Sequence, residues 1–170
     1  MTLASALLLV AAVAAAQGDK KPLSPPASAD AKIGGKSISV KYNAPSRRDR
    51  VIMGELVPYD QVWRTGANAA TTLTTDSDLM IGSLHVPAGT YTLFTIPGQR
   101  EWTLIVNKQT GQWGTRYDEA QDLGRTKMTV KKLTTPVETF AIGVKPAAGK
   151  NGVLTLAWEN TEASVPLVVH

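Results

Sequence analysis

The chain has 170 residues, no cysteine and a formal net charge of +4, from 18 Lys and Arg against 14 Asp and Glu. This length suits one domain with a core that is stable without crosslinks, and the lack of cysteine excludes disulfides and thiolate metal ligands. The modest charge comes from short basic clusters, so we expect attraction to small anions and no nucleic-acid partner.

Residues 1–16 carry no charged side chain and end in three alanines. This pattern predicts a secretory signal peptide cleaved near Ala16, and hence a periplasmic or secreted protein without a transmembrane segment after cleavage. The alternative is an N-terminal core helix, which is disfavoured because the segment has no polar face. We expect a Pro/Ser-rich linker at 17–27 and a single β-domain at 28–170.

Most of the remaining chain alternates between apolar and polar residues with period two. About ten short strands at this spacing predict an all-β fold, an antiparallel β-sandwich or a jelly-roll-like barrel. The predicted strands are 29–33, 36–42, 71–75, 79–81, 84–86, 90–96, 102–107, 125–133, 139–144, 153–158 and 164–169.

Details of this pattern refine the prediction. Gly34 and Gly35 indicate a hairpin between the first two strands, and Glu159 and Asn160 indicate a turn near the C-terminus. Strand 90–96 is apolar on both faces, so it either lies centrally or contains a bulge. One or two short helical turns are expected, at 59–63 with Asp60 as cap and at 117–123 before Gly124.

Catalytic signatures are sparse in the sequence. The two histidines, His85 and His170, belong to no metal-binding motif, and no nucleophile elbow or glycine-rich phosphate loop occurs. We therefore expect no metal, no other cofactor and no catalytic residue, which makes a binding role more plausible than an enzymatic one.

The run from Val62 to Thr72 carries the strongest candidate site. Arg64 can clamp an anion, Gly66 allows close backbone approach, and Asn68 offers both a donor and an acceptor. Structural roles are the alternative: Arg64 pairing with Asp60 or Glu55, and Asn68 bonding the loop backbone.

Two further loops add recognition groups. Residues 47–50 supply three arginines, and residues 109–117 place a tryptophan between glycines, a pattern suited to stacking or to packing on the sandwich edge. The complete set of candidate ligand-binding residues is Arg47, Arg50, Trp63, Arg64, Thr65, Gly66, Asn68, Tyr91 and Trp113.

The favoured function is a binding module for a small polar or anionic ligand, saccharides included. One alternative is a hydrolase or lyase that acts on an envelope polymer through Glu55, Asp60 or Glu101. Another is an envelope interaction protein that uses a sheet edge or the basic face of Lys127, Thr129 and Lys131. The sequence leaves the oligomeric state open.

Several motifs in one order resemble the secreted bacterial proteins of domain of unknown function family 2911, over residues 27–167. They are Pro45-Ser46-Arg47, Gly54-x-Leu56-Val57-Pro58-Tyr59, Val62 to Asn68, Ala88-Gly89-Thr90-Tyr91-x-Leu93-Phe94-x-Ile96-Pro97, Glu101-Trp102-x-x-Ile105-x-Asn107-Lys108 and Gln112-Trp113-Gly114. The resemblance implies an exported β-rich domain of Gram-negative bacteria and assigns no residue a role. Many members of that family have Glu where this chain has Ala69. If that Glu were a catalytic acid in the relatives, this chain would lack it, which weakens an enzymatic interpretation.

Overall fold

The computed structural model of the chain describes residues 22–170. The predicted signal peptide at 1–16, and residues 17–21 of the predicted linker, lie outside the described residues. β1 begins at Pro26, inside the predicted linker, and Ser24 accepts a hydrogen bond at its carbonyl from the Asn43 side chain over 3.2 Å. The segment before β1 is therefore joined to the domain.

Within residues 22–170, nine antiparallel strands form one sheet, which confirms the all-β prediction. They are β1 (Pro26–Ile33), β2 (Lys36–Asn43), β3 (Thr71–Thr75), β4 (Leu79–Ile81), β5 (Leu84–Val86), β6 (Gly89–Ile96), β7 (Glu101–Asn107), β8 (Asp122–Pro146) and β9 (Asn151–Val169). Their order across the sheet is β1-β2-β3-β6-β7-β8-β9-β4-β5.

The sheet folds back on itself as a sandwich-like structure and does not close into a barrel, so the barrel alternative is wrong. β2 faces β8 across the core: the Ile142 N–H donates to the Tyr42 hydroxyl over 3.1 Å, and the Tyr42 and Phe140 rings meet edge to face. Burying apolar side chains between the two layers supplies the main stabilising free energy. The core extends over both layers and includes Trp102 and Trp158.

Local sequence signals explain the first hairpin and the central strand. Ile33 pairs with Lys36 across Gly34 and Gly35, which both have positive φ, as a two-residue hairpin turn requires. β6 pairs with β3 on one side and β7 on the other, and residues 91–95 are all buried. Of the two interpretations of this strand, the central position is the one observed.

β8 and β9 are longer than the sequence predicts. Each unites two predicted strands, and their mutual register shifts between Lys132 and Val137 and between Val137 and Ala141. The predicted turn at Glu159 and Asn160 is wrong, because Glu159 takes a φ of 52° within the continuous β9. The same residue types occur where an irregularity bends a strand and where a turn ends one.

Helical structure within residues 22–170 is limited to one 3₁₀ turn, Glu119–Gln121, whose Ala120 N–H donates to the Asp118 side chain. This turn lies inside the predicted 117–123 segment. The helical turn predicted at 59–63 is wrong, because Asp60 has a φ of 59° and Trp63 pairs with Thr95 of β6. No helix in the described part of the chain is long and apolar enough to cross a membrane.

Candidate functional site

A cavity of about 570 Å³ opens where three loops meet against residues of β6 and β9. We call it the arginine cavity. Its volume lies within the roughly 300–1,000 Å³ typical of small-molecule pockets. Its lining residues are Leu23, Ser24, Pro45, Arg48, Arg50, Leu56, Val57, Pro58, Val62, Trp63, Arg64, Gly66, Ala67, Asn68, Phe94, Gly114, Thr115, Tyr117 and Trp158.

Three arginines, Arg48, Arg50 and Arg64, give the cavity its charge. Arg50 donates from Nε and Nη2 to the carbonyls of Arg47 and Ser46 at 2.9 and 2.8 Å, and Arg64 Nε donates to the Gly66 carbonyl at 3.3 Å. Within residues 22–170 no carboxylate forms an ion pair with any of the three, and none lines the cavity. Among the described residues, the three guanidinium groups therefore have no ion-pair partner.

Two glutamates of the long strands hold the loop that carries Arg48 and Arg50. Glu138 of β8 accepts the Arg48 N–H at 2.8 Å, and its carbonyl accepts the Arg47 N–H at 2.7 Å. The carboxylate of Glu159 in β9 accepts the N–H groups of Ile52 and Met53, both at 3.2 Å. Sequence reasoning missed both glutamates, because acidic residues in a strand ordinarily face solvent.

The turn that carries Arg64 is built on a strained backbone. Thr65 has a φ of 54° although it is β-branched, and Asn68 has a φ of 57°. The Thr65 hydroxyl lies 3.0 Å from the Thr95 hydroxyl. The backbone carbonyl of Thr65 accepts a hydrogen bond from the Thr71 hydroxyl at 2.7 Å. These bonds lock the turn onto β3 and β6, so the Arg64 side chain starts from a fixed backbone.

The third loop reaches the same turn through Gly114. The Gly114 N–H donates to the Asn68 carbonyl at 2.9 Å. A Cβ on Gly114 would lie 2.7 Å from that oxygen and 2.8 Å from Arg64 Cδ, so the contact requires glycine. The loop is also joined by a bridge between Ala69 and Trp113. The three candidate loops of the sequence therefore share one cavity.

Aromatic rings form the floor of the arginine cavity. Trp63 stacks on Trp158 with centroids 5.9 Å apart and planes 17° apart, and it meets Phe140 edge to face at 5.0 Å. Phe94 and Tyr117 form a second edge-to-face pair at 4.9 Å. Such pairs hold the rings in fixed orientations, which preforms an apolar surface.

Tyr117 is fixed by a charged network. Its hydroxyl donates to Asp122 at 2.7 Å and accepts from Arg125 at 2.9 Å, and Arg125 also pairs with Glu119 at 2.7 Å. Burial, reinforced by the neighbouring Asp122 carboxylate, raises the pKa of Tyr117 to about 12. The phenol therefore keeps its proton to a higher pH than an ordinary tyrosine does.

The mouth of the cavity is apolar. Leu23, Leu56 and Val62 are 72%, 46% and 40% exposed, although they are large hydrophobic residues. Val51 and Trp113 are the two other exposed large hydrophobics among the described residues, and neither lines the cavity. Contiguous exposed apolar surface is a common feature of interaction sites, and this makes the mouth a candidate for ligand contact.

Backbone strain is also concentrated here. The non-glycine residues with positive φ in the described part of the chain are Arg48, Asp49, Asp60, Thr65, Asn68 and Glu159. Each either lines the cavity or lies within two residues of one that does. Strained conformations tend to persist at functional sites, where the surrounding structure enforces them.

The structure brings together five of the residues predicted as a ligand site: Arg50, Trp63, Arg64, Gly66 and Asn68 all line the cavity. The remaining four do not line it. Thr65 is buried beneath the turn, and Tyr91 lies on β6 with its hydroxyl bonded to the Pro87 carbonyl. Arg47 has a buried Nε, and Trp113 lies outside the cavity with 52% of its surface exposed.

The residues considered for the alternative functions lie elsewhere. Glu55, Asp60 and Glu101 line neither the arginine cavity nor a second, more open one of about 610 Å³ between β1, β2 and residues 69–72. On the basic face, Lys127 pairs with Glu101 at 2.7 Å and Lys131 with Glu162 at 2.8 Å. No group of three or more metal-ligating side chains occurs in residues 22–170.

A family model described as "Protein of unknown function (DUF2911)" matches residues 24–167. No curated protein and no solved structure matches the chain. The matched range contains β1 to β8, most of β9 and every residue of the arginine cavity except Leu23. The chain therefore belongs to the family of proteins of unknown function DUF2911.

Proposed function

We propose that this protein is a binding module for a small anionic ligand, which it holds in the arginine cavity. The observation that carries the proposal is the convergence of Arg48, Arg50 and Arg64 on one cavity without a lining carboxylate. Guanidinium groups bind carboxylates, phosphates and sulfonates through paired N–H donors. A saccharide that bears an acidic group meets the same requirement.

Export of the module to the periplasm or beyond belongs to the same proposal. It is supported by the uncharged apolar segment 1–16 with its alanine-rich end. A binding module without cysteine needs no redox chemistry to fold after export, since packing alone stabilises it.

The test uses pairs of molecules that differ in charge but not in framework: glucuronate with glucose, and benzoate with benzyl alcohol, together with phosphate. We expect at least one anion to raise the melting temperature where its neutral twin does not. At a hundred times Kd the gain in unfolding free energy is about 2.7 kcal/mol.

Arg64→Gln is expected to weaken the binding of that anion by about ten- to hundredfold, because a charge-assisted bond contributes about 1.5–3 kcal/mol. Arg100→Gln is the matched control, since Arg100 is exposed and does not line the cavity. Binding that never discriminates an anion from its neutral twin, or that ignores Arg64→Gln, contradicts the proposal.

A further inference from the structure

We infer that the arginine cavity takes an amphiphilic anion, a molecule that carries its acidic group on an apolar body. The inference rests on the proposed function and narrows it to a ligand class. It predicts that sugar acids and inorganic anions bind weakly, because they satisfy only the charged part of the cavity.

The first support is the uneven distribution of exposed apolar surface. Leu23, Leu56 and Val62 line the cavity while staying 40% to 72% exposed. Removing such surface from water is favourable, and the gain grows with the area covered. A ligand with an apolar body covers these side chains, whereas a small hydrated anion leaves them in water.

The second support is the aromatic floor of the arginine cavity. The stacked pair of Trp63 and Trp158 and the pair of Phe94 and Tyr117 offer preformed aromatic surface within the same cavity. Rigid rings accept apolar groups without a large loss of conformational freedom. The floor and the mouth therefore present apolar surface at two depths.

The third support is the position of the charge. Arg48 and Arg50 lie on the same loop as Leu56, and Arg64 lies two residues after Val62. Each of these segments thus contributes both an arginine and an aliphatic residue to the lining of one cavity. A ligand that has its acidic group next to its apolar body engages both kinds of contact at once, whereas a free anion engages one.

The experiment uses 1-anilinonaphthalene-8-sulfonate, N-phenyl-1-naphthylamine and methanesulfonate as probes. The second is the first without its sulfonate, and the third carries a sulfonate without the aromatic body. Calorimetric titration is expected to give one site that binds the anilinonaphthalene sulfonate at least about tenfold more tightly than either of the others.

Octanoate and octyl phosphate, with octanol as their neutral twin, then distinguish a carboxylate head from a phosphate head. Tighter binding of either anion than of octanol supports the inference. If octanol binds as tightly as both anions, the charge plays no part and the inference is overturned.

Two variants locate the site. The double variant Leu56→Asn with Val62→Thr is expected to weaken binding of the anilinonaphthalene sulfonate about tenfold. Val51→Thr is the matched control, because Val51 is 50% exposed but does not line the cavity. Circular dichroism and melting temperatures establish that each variant is folded.

Failure of the amphiphile inference and failure of the anion-binding proposal give different results in these titrations. If methanesulfonate, phosphate or glucuronate binds as tightly as the anilinonaphthalene sulfonate, and its binding depends on Arg64, the protein binds anions but the inference of an amphiphilic ligand is wrong. If the sulfonated and neutral naphthylamines bind equally and ignore Arg64→Gln, both proposals are wrong. Binding that ignores the Leu56 and Val62 substitutions lies outside the cavity and overturns the inference.

Discussion

Tyr117 shows how a single side chain is held in the cavity wall. Its ring packs on Phe94, and its hydroxyl is placed between Asp122 and Arg125. Because burial raises its pKa to about 12, the ionised phenolate is less stable in the folded protein than in the unfolded chain.

The pKa of Tyr117 gives a pH prediction. The folded value of about 12 exceeds the ordinary value of 10.0, so the folded state retains its proton between these pH values when the unfolded state loses it. The contribution of Tyr117 to the unfolding free energy is therefore fully present below pH 10 and is lost as the pH rises toward 12. Tyr117→Phe is expected to remove this part of the alkaline loss of stability.

Absorbance at 295 nm follows tyrosine ionisation directly. Tyr117→Phe should remove a titration step near pH 12, whereas the control Tyr59→Phe should leave it. A step near pH 12 that survives in Tyr117→Phe assigns the raised pKa to another residue and contradicts the prediction.

Thr65 illustrates a residue whose role the sequence did not reveal. Its hydroxyl, between an arginine and a glycine, suggested a ligand contact, but the side chain is fully buried against Thr95. Its φ of 54° turns the chain so that Arg64 faces the cavity and Thr65 faces the core. Alternation with period two predicts which way side chains point in a strand, but it does not predict their orientation in such a turn.

At the scale of elements, β8 and β9 support the loop that carries Arg48 and Arg50. Glu138 and Glu159 lie at the irregular part of the two strands, where their mutual register shifts. There their carboxylates accept hydrogen bonds from the backbone N–H groups of Arg48, Ile52 and Met53. Glu138 does so while exposed to solvent, and Glu159 while partly buried. The irregular strand geometry thus orders a loop that has no regular structure of its own.

Glu159→Ala is expected to lower the unfolding free energy by about 1–3 kcal/mol, because two backbone N–H groups lose their acceptor. Hydrogen exchange at Ile52 and Met53 should accelerate, and anion binding should weaken. Glu159→Gln, which keeps one acceptor oxygen, should give an intermediate result.

Glu101→Ala serves as the control for that series. It removes an ion pair with Lys127 in which both side chains are more than half exposed, so a loss below about 1 kcal/mol is expected. Equal effects of Glu101→Ala and Glu159→Ala, in urea unfolding and in exchange at Ile52, would contradict the supporting role of Glu159.

The predicted strands were accurate where each element is determined by its own residues. The hairpin across Gly34 and Gly35 and the short β3, β4 and β5 have the expected positions. The breaks predicted within β8 and β9 fail because pairing between these two strands continues through the irregular segment. Strand continuity depends on the partner strand, which local composition does not encode.

For the whole molecule, electrostatics predicts how binding depends on salt. The chain carries a net charge of +4, and three arginines that form no ion pair with the described residues line one cavity. Raising the ionic strength from about 0.01 to 1 M shortens the Debye length from about 30 to 3 Å. The Kd of an anionic probe should therefore rise about tenfold or more.

The neutral N-phenyl-1-naphthylamine provides the control, since its binding involves no net charge. Its Kd, measured by the same calorimetric titration, should stay constant or fall slightly over this range of salt. An anionic probe whose Kd is equally insensitive to salt would show that the arginines do not recognise its charge.

The sequence by itself determined the all-β class, the position of most strands, the family, and Arg64, Gly66 and Asn68 as the centre of a candidate site. These follow from period-two alternation, turn residues and motifs, which are local properties. Only the tertiary structure decided that the loops of Arg50, Arg64 and Tyr117 meet in one cavity, and that Trp63 and Trp158 form its floor. That convergence depends on how a nine-stranded sheet folds back on itself, and contacts between residues far apart in the chain set that geometry.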